Sequence, residues 1–363
     1  MNKVLFVING GVYPYVVGGM EVFNYHLIKT ISKSHTISYI ASRQYDFTSA
    51  HYVKSCQIKP TKLFAPLRLF IYLLLHREYK HIVFSFSSAH WLVWKLSTIT
   101  IKLLNLDSTI VIHYGKTVPN EKHNVYSDFF KSAKNVIAVS EDIKNNYDLA
   151  FGISCEVLYP LIPFNQTNKG RDVLRKKYGV PLEANLICMV GTLKEMKNPH
   201  MVLKALSLLS KTDLKRYNPY VVYAGTGPML DELMLEVERL CLTERVRFLG
   251  VIPTHDISEV MKMSDLYLIA SEFEGTSVAA LEAMYNSKPI IASNVPGLKD
   301  MFKHNVNALL YQVHNPEDLK SKIMNFLDNP EMAKNIGKAA RELFDCKYDY
   351  SAMIKRYVEL IRM

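Results

Sequence analysis

"NLICMVGTLKEMKNPHMVLKALSLLSKTDLKRYNPYVVYAGTG", residues 185–227, decides the fold. An apolar run of strand length ends at a glycine turn. Next comes "PHMVLKALSLLS", apolar at a helical period, and then a second apolar run, "PYVVYAGTG". Continuous apolar strands joined by a helix require a parallel sheet covered on both faces. The rhythm continues through "MLDELMLEVERLC", "VRFLGVI", "HDISEVMKMS", "DLYLIAS", a helix from about 277, and "KPIIASNV". The first half opens the same way, with "KVLFVIN", then "MEVFNYHLIKTIS" behind Gly18-Gly19, then "HTISYIAS"; "STIVIHYGK" and "KNVIAVSED" read as later strands. Two doubly wound α/β domains follow, joined through "LYPLIPFNQTNKGRD" at 158–172, which is rich in Pro, Asn and Gly. Ligands of such sheets bind beyond the carboxyl ends of the strands, so two facing domains are expected to enclose a cleft.

The chain of 363 residues is long enough for two cores, and 49% apolar with 21% charged residues is a globular composition. Cys56, Cys155, Cys188, Cys241 and Cys346 are scattered and odd in number. They read as reduced thiols of a cytosolic protein and not as a metal site. "MNKVLFVINGG" is too short and too interrupted for a signal peptide and reads as a first strand. The longest apolar run, "LFAPLRLFIYLLL" at 63–75, has 13 residues and contains Arg68, short of the roughly 20 residues that span a bilayer.

The net charge of +10 is unevenly spread, with 17 bases against 10 acids in 1–165 and 27 against 24 in the remainder. It is steepest at 51–102, where eight bases face one acid, Glu78, among Phe64, Leu67, Phe70, Tyr72 and Trp91. Such a segment suits the interface of an anionic membrane, or else forms a solvated basic face beside core helices. Zinc-finger spacing and aromatic RNA-reading motifs are absent, so nucleic acid is not the expected partner.

Three strand-end loops of the second half suit an anion. One is Gly191-Thr192-Leu193-Lys194-Glu195-Met196-Lys197-Asn198 and another is Gly225-Thr226-Gly227-Pro228, a tight turn that lets something approach the backbone closely. The third, Glu274-Gly275-Thr276-Ser277, leads into a helix whose free amides and dipole favour phosphate. That helix carries Glu282 among Val278, Ala279, Ala280, Leu281, Ala283 and Met284, which cover nearly every direction of its surface. An ionised, shielded Glu282 needs donors. Two ribose hydroxyls would supply them; a core Lys or Tyr is the alternative.

Taken in order, Gly18-Gly19, "VGTLKEMKN", "YAGTGP", "VRFLG", Glu274 and Glu282 with seven residues between them, and "EAMYNSKPIIASNVPG" strongly resemble glycosyltransferase family 4. The likeness is dense from about 172 to 345 and thinner in the first half, where it rests on Gly18-Gly19, His113 and "VIAVSE". It implies a GT-B fold: an acceptor-binding domain at 1–163, a nucleotide-sugar-binding domain at 164–345, and a C-terminal helix, 346–363, crossing back to the first domain.

By position, Lys197 matches the family's diphosphate-binding lysine and Glu274 the acid on the donor-sugar hydroxyls. The backbone of Thr276, Ser277 and Val278, with Gly275, matches the segment that cradles the distal phosphate, and Glu282 matches the ribose ligand. Gly18 and Gly19 match the loop approaching the diphosphate from the other domain. His113 matches a histidine beside the donor sugar, or else is a polar cap at a strand end. Gly191 and Thr192 fill the family's phosphate turn, but Thr192 stands where the pattern has Arg, with Lys194 as a candidate substitute. Pro160-Leu161 replaces an Asn-Gly near the domain junction.

The resemblance implies a retaining transferase moving sugar from a nucleotide-diphosphate sugar, a UDP-sugar first, to a glycan or lipid-linked glycan acceptor in bacterial surface polysaccharide assembly. No cofactor or metal is expected, in keeping with a sequence that has no Asp-x-Asp. The expected location is the cytoplasmic face of the membrane, peripherally bound. Rival readings are a non-catalytic subunit of the same fold, favoured by Thr192, and a hydrolase using Glu274 and Glu282 as paired acids.

Overall fold

The computed structural model describes residues 3–8, 19–41, 50–53, 65–86, 91–113, 123–160 and 162–362. The chain divides into two compact units, Met1–Pro163 with Tyr350–Met363, and Phe164–Asp349. Each is built on its own parallel sheet.

In order, the first unit contains β1 (Lys3–Ile8), α1 (Gly19–Ile31), β2 (Thr36–Ile40), β3 (Ala50–Tyr52), α2 (Ala65–Leu75), β4 (Tyr79–Phe86), α3 (Trp91–Leu104), β5 (Asp107–Ile112), α4 (His123–Lys131), β6 (Asn135–Ala138), α5 (Glu141–Phe151) and β7 (Glu156–Val157). Its strands lie in the order β3-β2-β1-β4-β5-β6-β7. The order reverses direction at β1, the topological switch of a doubly wound sheet. Strand β4, inside the basic segment, was not separated from it by the sequence reading. Its "HIVFSF" end is buried on both faces, which is why it shows no alternation. Behind β4 and β5 an aromatic cluster fixes the next two helices: Trp94 of α3 lies 4.8 Å from both Phe86 and Phe129, ring centre to ring centre.

The second unit contains α6 (Arg171–Tyr178), β8 (Asn185–Val190), α7 (His200–Ser207), α8 (Lys211–Tyr217), β9 (Pro219–Ala224), α9 (Leu230–Arg239), β10 (Val246–Phe248), α10 (Ile257–Met263), β11 (Leu266–Ile269), α11 (Val278–Tyr285), β12 (Ile290–Ser293), α12 (Pro296–Lys299), β13 (Leu309–Tyr311), α13 (Pro316–Asp328) and α14 (Pro330–Lys347). The sheet order is β10-β9-β8-β11-β12-β13, reversing at β8. The loops after β8 and β11 therefore flank the switch point, where an open sheet leaves room for a ligand.

Arg175 holds α6 to this sheet. Fully buried, its guanidinium donates to the carbonyls of Met263, Pro181, Leu182 and Ala184 and, at 2.7 Å, to the Asp265 carboxylate. A charge can be buried there because all three guanidinium nitrogens find acceptors.

Two expected boundaries shift. The linker 158–172 ends early, since Arg171 and Asp172 already form the first turn of α6 behind Gly170. Helix α14 runs unbroken to Lys347, so the second unit extends to Asp349 and the returning helix α15 (Tyr350–Arg362) starts there. Helix α15 packs within the first unit. Tyr357 donates to Leu158 O at 2.9 Å, Asn135 donates to Leu360 O at 2.9 Å, and Arg356 pairs with Glu156 through two nitrogens.

Candidate functional site

The loop after β8 begins at Gly191, whose φ of +142° is open to glycine. Gly225, after β9, has φ +151°, and a Cβ there would lie 1.9 Å from Gly191 O; one at Gly227 would lie 2.2 Å from Leu193 O. The "GTG" turn does admit a close approach, but what approaches it is the neighbouring loop's backbone. Hydrogen bonds seal the contact: Leu193 N to Thr226 O at 3.0 Å and Met229 N to Leu193 O at 3.1 Å. The chain then makes a 3-10 turn, Glu195–Lys197, closed by Asn198 in the left-handed region. Glu272 N donates to Met196 O at 3.0 Å and ties this turn to the loop after β11.

That tie brings Lys197 to Glu274. The Lys197 ammonium and the Ser271 hydroxyl both donate to Glu274 Oε1, the hydroxyl at 2.8 Å. Ser293 Oγ in turn donates to Ser271 O. Gly297 supports the same loop from α12: a Cβ there would lie 1.9 Å from Glu274 O. Ser271, Ser293 and Gly297 escaped the sequence reading. Ser271 ended the quoted "DLYLIAS", Ser293 and Gly297 lay inside the quoted "EAMYNSKPIIASNVPG", and nothing in their spacing tells a scaffold residue from a ligand. Lys197 carries three N–H donors, so it can keep Glu274 and still reach an anion.

Ser277 caps α11, its hydroxyl accepting from Ala280 N at 3.4 Å. Gly275, Thr276 and Val278 are half-buried around the helix start, where the dipole favours negative charge. One turn on, Glu282 is only 8% exposed. Among the described residues no side chain hydrogen-bonds or ion-pairs with its carboxyl, so the core Lys or Tyr partner is not what the structure holds. Burial pushes this carboxyl up to about 8, and it is mostly protonated at neutral pH. The Tyr267 phenol of β11 is held well above its ordinary value by burial and then by the charges of Cys188, Glu274 and Glu282.

His113 belongs to the first unit. It follows β5, donates its backbone N–H to Phe86 O at 3.4 Å, and meets Phe23 edge-on at 4.9 Å. Burial pulls its imidazole down to about 3, and Nε2 has no partner among the described residues. It is therefore a neutral ring. Gly19 is the first residue of α1, and Gly18 lies outside the described residues. Thr192 is half-buried beside Gly191. The site thus joins a cation, a helix start and a proton-bearing buried acid at the carboxyl ends of β8 and β11, a set suited to an anion carrying hydroxyls.

Residues 170–343 match the family described as glycosyl transferases group 1. Through this stretch the chain is similar to the group 1 glycosyl transferases. An uncharacterized glycosyltransferase of Methanocaldococcus jannaschii is 28% identical over 189 residues, 52% of this chain and 47% of that protein. A putative teichuronic acid biosynthesis glycosyltransferase of Bacillus subtilis, TuaC, is 24% identical over 68% of this chain and 64% of its own. The chain thus spans about half the length of the first of these curated relatives. Among solved structures, Anabaena HepE in complex with UDP-glucose matches with a TM-score of 0.81 at 18% identity, over 98% of both chains. That likeness shows the fold, which is GT-B. The matched stretch holds Lys197, Glu274 and Glu282; His113 and Gly19 fall before it.

Proposed function

We propose that the chain is a retaining glycosyltransferase that takes a sugar from a nucleotide-diphosphate donor, a UDP-sugar, and passes it to a glycan or lipid-linked glycan acceptor in bacterial surface polysaccharide synthesis. Glu282 carries this reading. A carboxyl buried in an apolar helix with no side-chain partner among the described residues is a cost to the free fold, and a ligand that brings hydroxyl donors removes it. The UDP-glucose bound by HepE and the teichuronic acid biosynthesis named for TuaC support the donor and the pathway.

In this reaction negative charge grows on the leaving diphosphate. Lys197 and the first turn of α11 sit where fixed positive charge would stabilise it. Glu274, oriented by Ser271 and Lys197, accepts from donor-sugar hydroxyls, and Glu282 accepts from the ribose. In retaining transfer the leaving phosphate itself can take the acceptor's proton. His113, a neutral ring, has no assigned proton step in this scheme. No metal is required. The first unit offers the acceptor surface, at an anionic membrane.

Thr192 favours a second reading, a GT-B subunit that binds nucleotide and a partner transferase without turning over. One assay separates the two. Wild type and Glu274→Ala are each incubated with UDP-glucose, UDP-N-acetylglucosamine, UDP-galactose and GDP-mannose, and release of nucleoside diphosphate is followed. Turnover by wild type that the variant loses supports the transferase; binding without turnover in either supports the subunit; cleavage of unactivated glycosides assigns a hydrolase.

A further inference from the structure

Helix α2 is apolar on both sides. Its inward Leu69 and Leu73 are core residues, 6% and 1% exposed, whereas outward Leu67, Ile71, Leu74 and Leu75 are 47%, 47%, 39% and 76% exposed. Their spacing of four, three and one places them along one stripe of a helix. Helix α3 packs against α2 and repeats that spacing outward with Lys95, Ile99, Lys102 and Leu103; Ile99 and Leu103 are 41% and 67% exposed. Right-handed crossovers from β3 to β4 to β5 put both helices in one layer. Six exposed aliphatic side chains therefore gather on two neighbouring helices. The other seven exposed large hydrophobics among the described residues lie singly or as one adjacent pair along the chain.

The charges carried by these two helices have one sign. Arg68, Lys95 and Lys102 are exposed on the two helices, and Arg77 and Lys80 just beyond α2, while neither helix contains an acid. Glu78 is already paired with Lys3 and His76. A protein partner or a second copy would be met by a rim of mixed sign. A predominantly basic rim around an aliphatic stripe complements a surface that is negative outside and hydrocarbon beneath. Helix α2 has 11 residues, so it lies along such a surface and cannot cross it.

We propose that the outward face of α2 and α3 docks in the headgroup layer of an anionic lipid bilayer, its aliphatic stripe inserted and its bases on lipid phosphates. This deepens the membrane part of the function proposed above. It stands on exposure, spacing and charge, independently of the donor site.

Both tryptophans of the chain are on α3, Trp91 half-buried and Trp94 turned to the core, so a change in intrinsic emission reports on this helix. Vesicles of phosphatidylglycerol with phosphatidylcholine brominated in its acyl chains are titrated into the full-length protein. Expected results are quenched tryptophan emission, cosedimentation, and at least about tenfold weaker partitioning for Leu67→Ser/Ile71→Ser/Leu74→Ser/Leu75→Ser. Arg68→Gln, Lys95→Gln and Lys102→Gln each lose about fivefold on anionic vesicles. Unchanged far-ultraviolet circular dichroism shows that the variants are folded. A wild type left in the supernatant, or one that binds without quenching, overturns the proposal. So does a concentration-dependent dimer that the serine variant abolishes, since it assigns the face to a second copy. UDP titrated into the same samples tests the donor site separately: vesicle binding without any nucleoside-diphosphate binding leaves this proposal standing and removes the transferase reading.

Discussion

The loops after β8 and β11 and the outer face of α2 and α3 break opposite rules. In the second unit a carboxyl is buried with no side-chain partner among the described residues; in the first, aliphatic side chains gather exposed on two neighbouring helices. Each is a cost that folding alone does not recover, and natural chains keep such costs where something outside the chain answers them. The chemistry of the answer is legible from the cost. A proton-bearing acid beside a lysine and a helix start asks for hydroxyls on an anion, and an aliphatic stripe rimmed by bases asks for hydrocarbon under negative charge.

The comparison breaks most sharply at Glu274. If the polar cluster serves chemistry and not the fold, Glu274→Gln lowers turnover of the nucleotide sugar by about 10²–10³-fold, the usual range for losing one positioned group at a reacting centre. The thermal midpoint should change little, because Lys197, 30% exposed, can turn to water. Turnover that survives, or a variant that unfolds, would make the Lys197–Glu274–Ser271 set a piece of scaffold.

Glu282 gives the next effect. Its carboxyl titrates near 8 in the folded chain against an ordinary 4.5, so between those values the folded state holds a proton that the unfolded state has released. Stability is therefore highest below about pH 4.5 with respect to this group, falls as pH rises, and levels off above about 8. Glu282→Gln lacks that descent and gains on wild type by on the order of 2–4 kcal/mol between pH 5 and 8, measured by urea denaturation at each pH. Parallel curves would mean that the carboxyl has a partner in solution.

A ligand that uses ionised Glu282 must expel its proton. UDP binding between pH 7 and 8 should release up to one proton, with affinity rising at most about tenfold per pH unit. Calorimetry in buffers of different ionisation enthalpy measures the release, and Glu282→Gln should abolish it. Binding with no proton release would show that the acid stays neutral and donates instead.

How far these features could be read in advance differs by scale. The second sheet was legible, because β8, β9 and β11 are continuous apolar runs between helical periods, and those patterns depend on near neighbours in the chain; the first was legible in part, since β4 was lost in the basic segment. The burial of Glu282 was legible for the same reason, since the residues that shield it share its own helix. The pairing of Lys197 with Glu274 was not, as it spans 77 residues and depends on a Glu272–Met196 backbone bond that any residue types could make. Gly225 and Gly227 were read correctly as permitting close approach and wrongly as waiting for a ligand. Sequence shows that a backbone is bare, not what lies against it. For α2, hydrophobic content was plain, but which side faced the core depended on the position of α3.

The smallest effect is the one that tests the first unit. Leu73 and Ile71 lie two residues apart on α2, 1% and 47% exposed. Leu73→Ala removes packed core and should cost about 2–4 kcal/mol. Ile71→Gln removes nothing the folded chain uses, and glutamine suits a helix as well as isoleucine does, so it should shift stability by no more than about 0.5 kcal/mol either way. The two are measured side by side by urea denaturation without lipid. A loss at Ile71 approaching that at Leu73 would mean that the outward stripe is already covered within the chain. A near-zero loss leaves the aliphatic face as surface the fold tolerates and does not need, which is the condition for its having been kept for a bilayer.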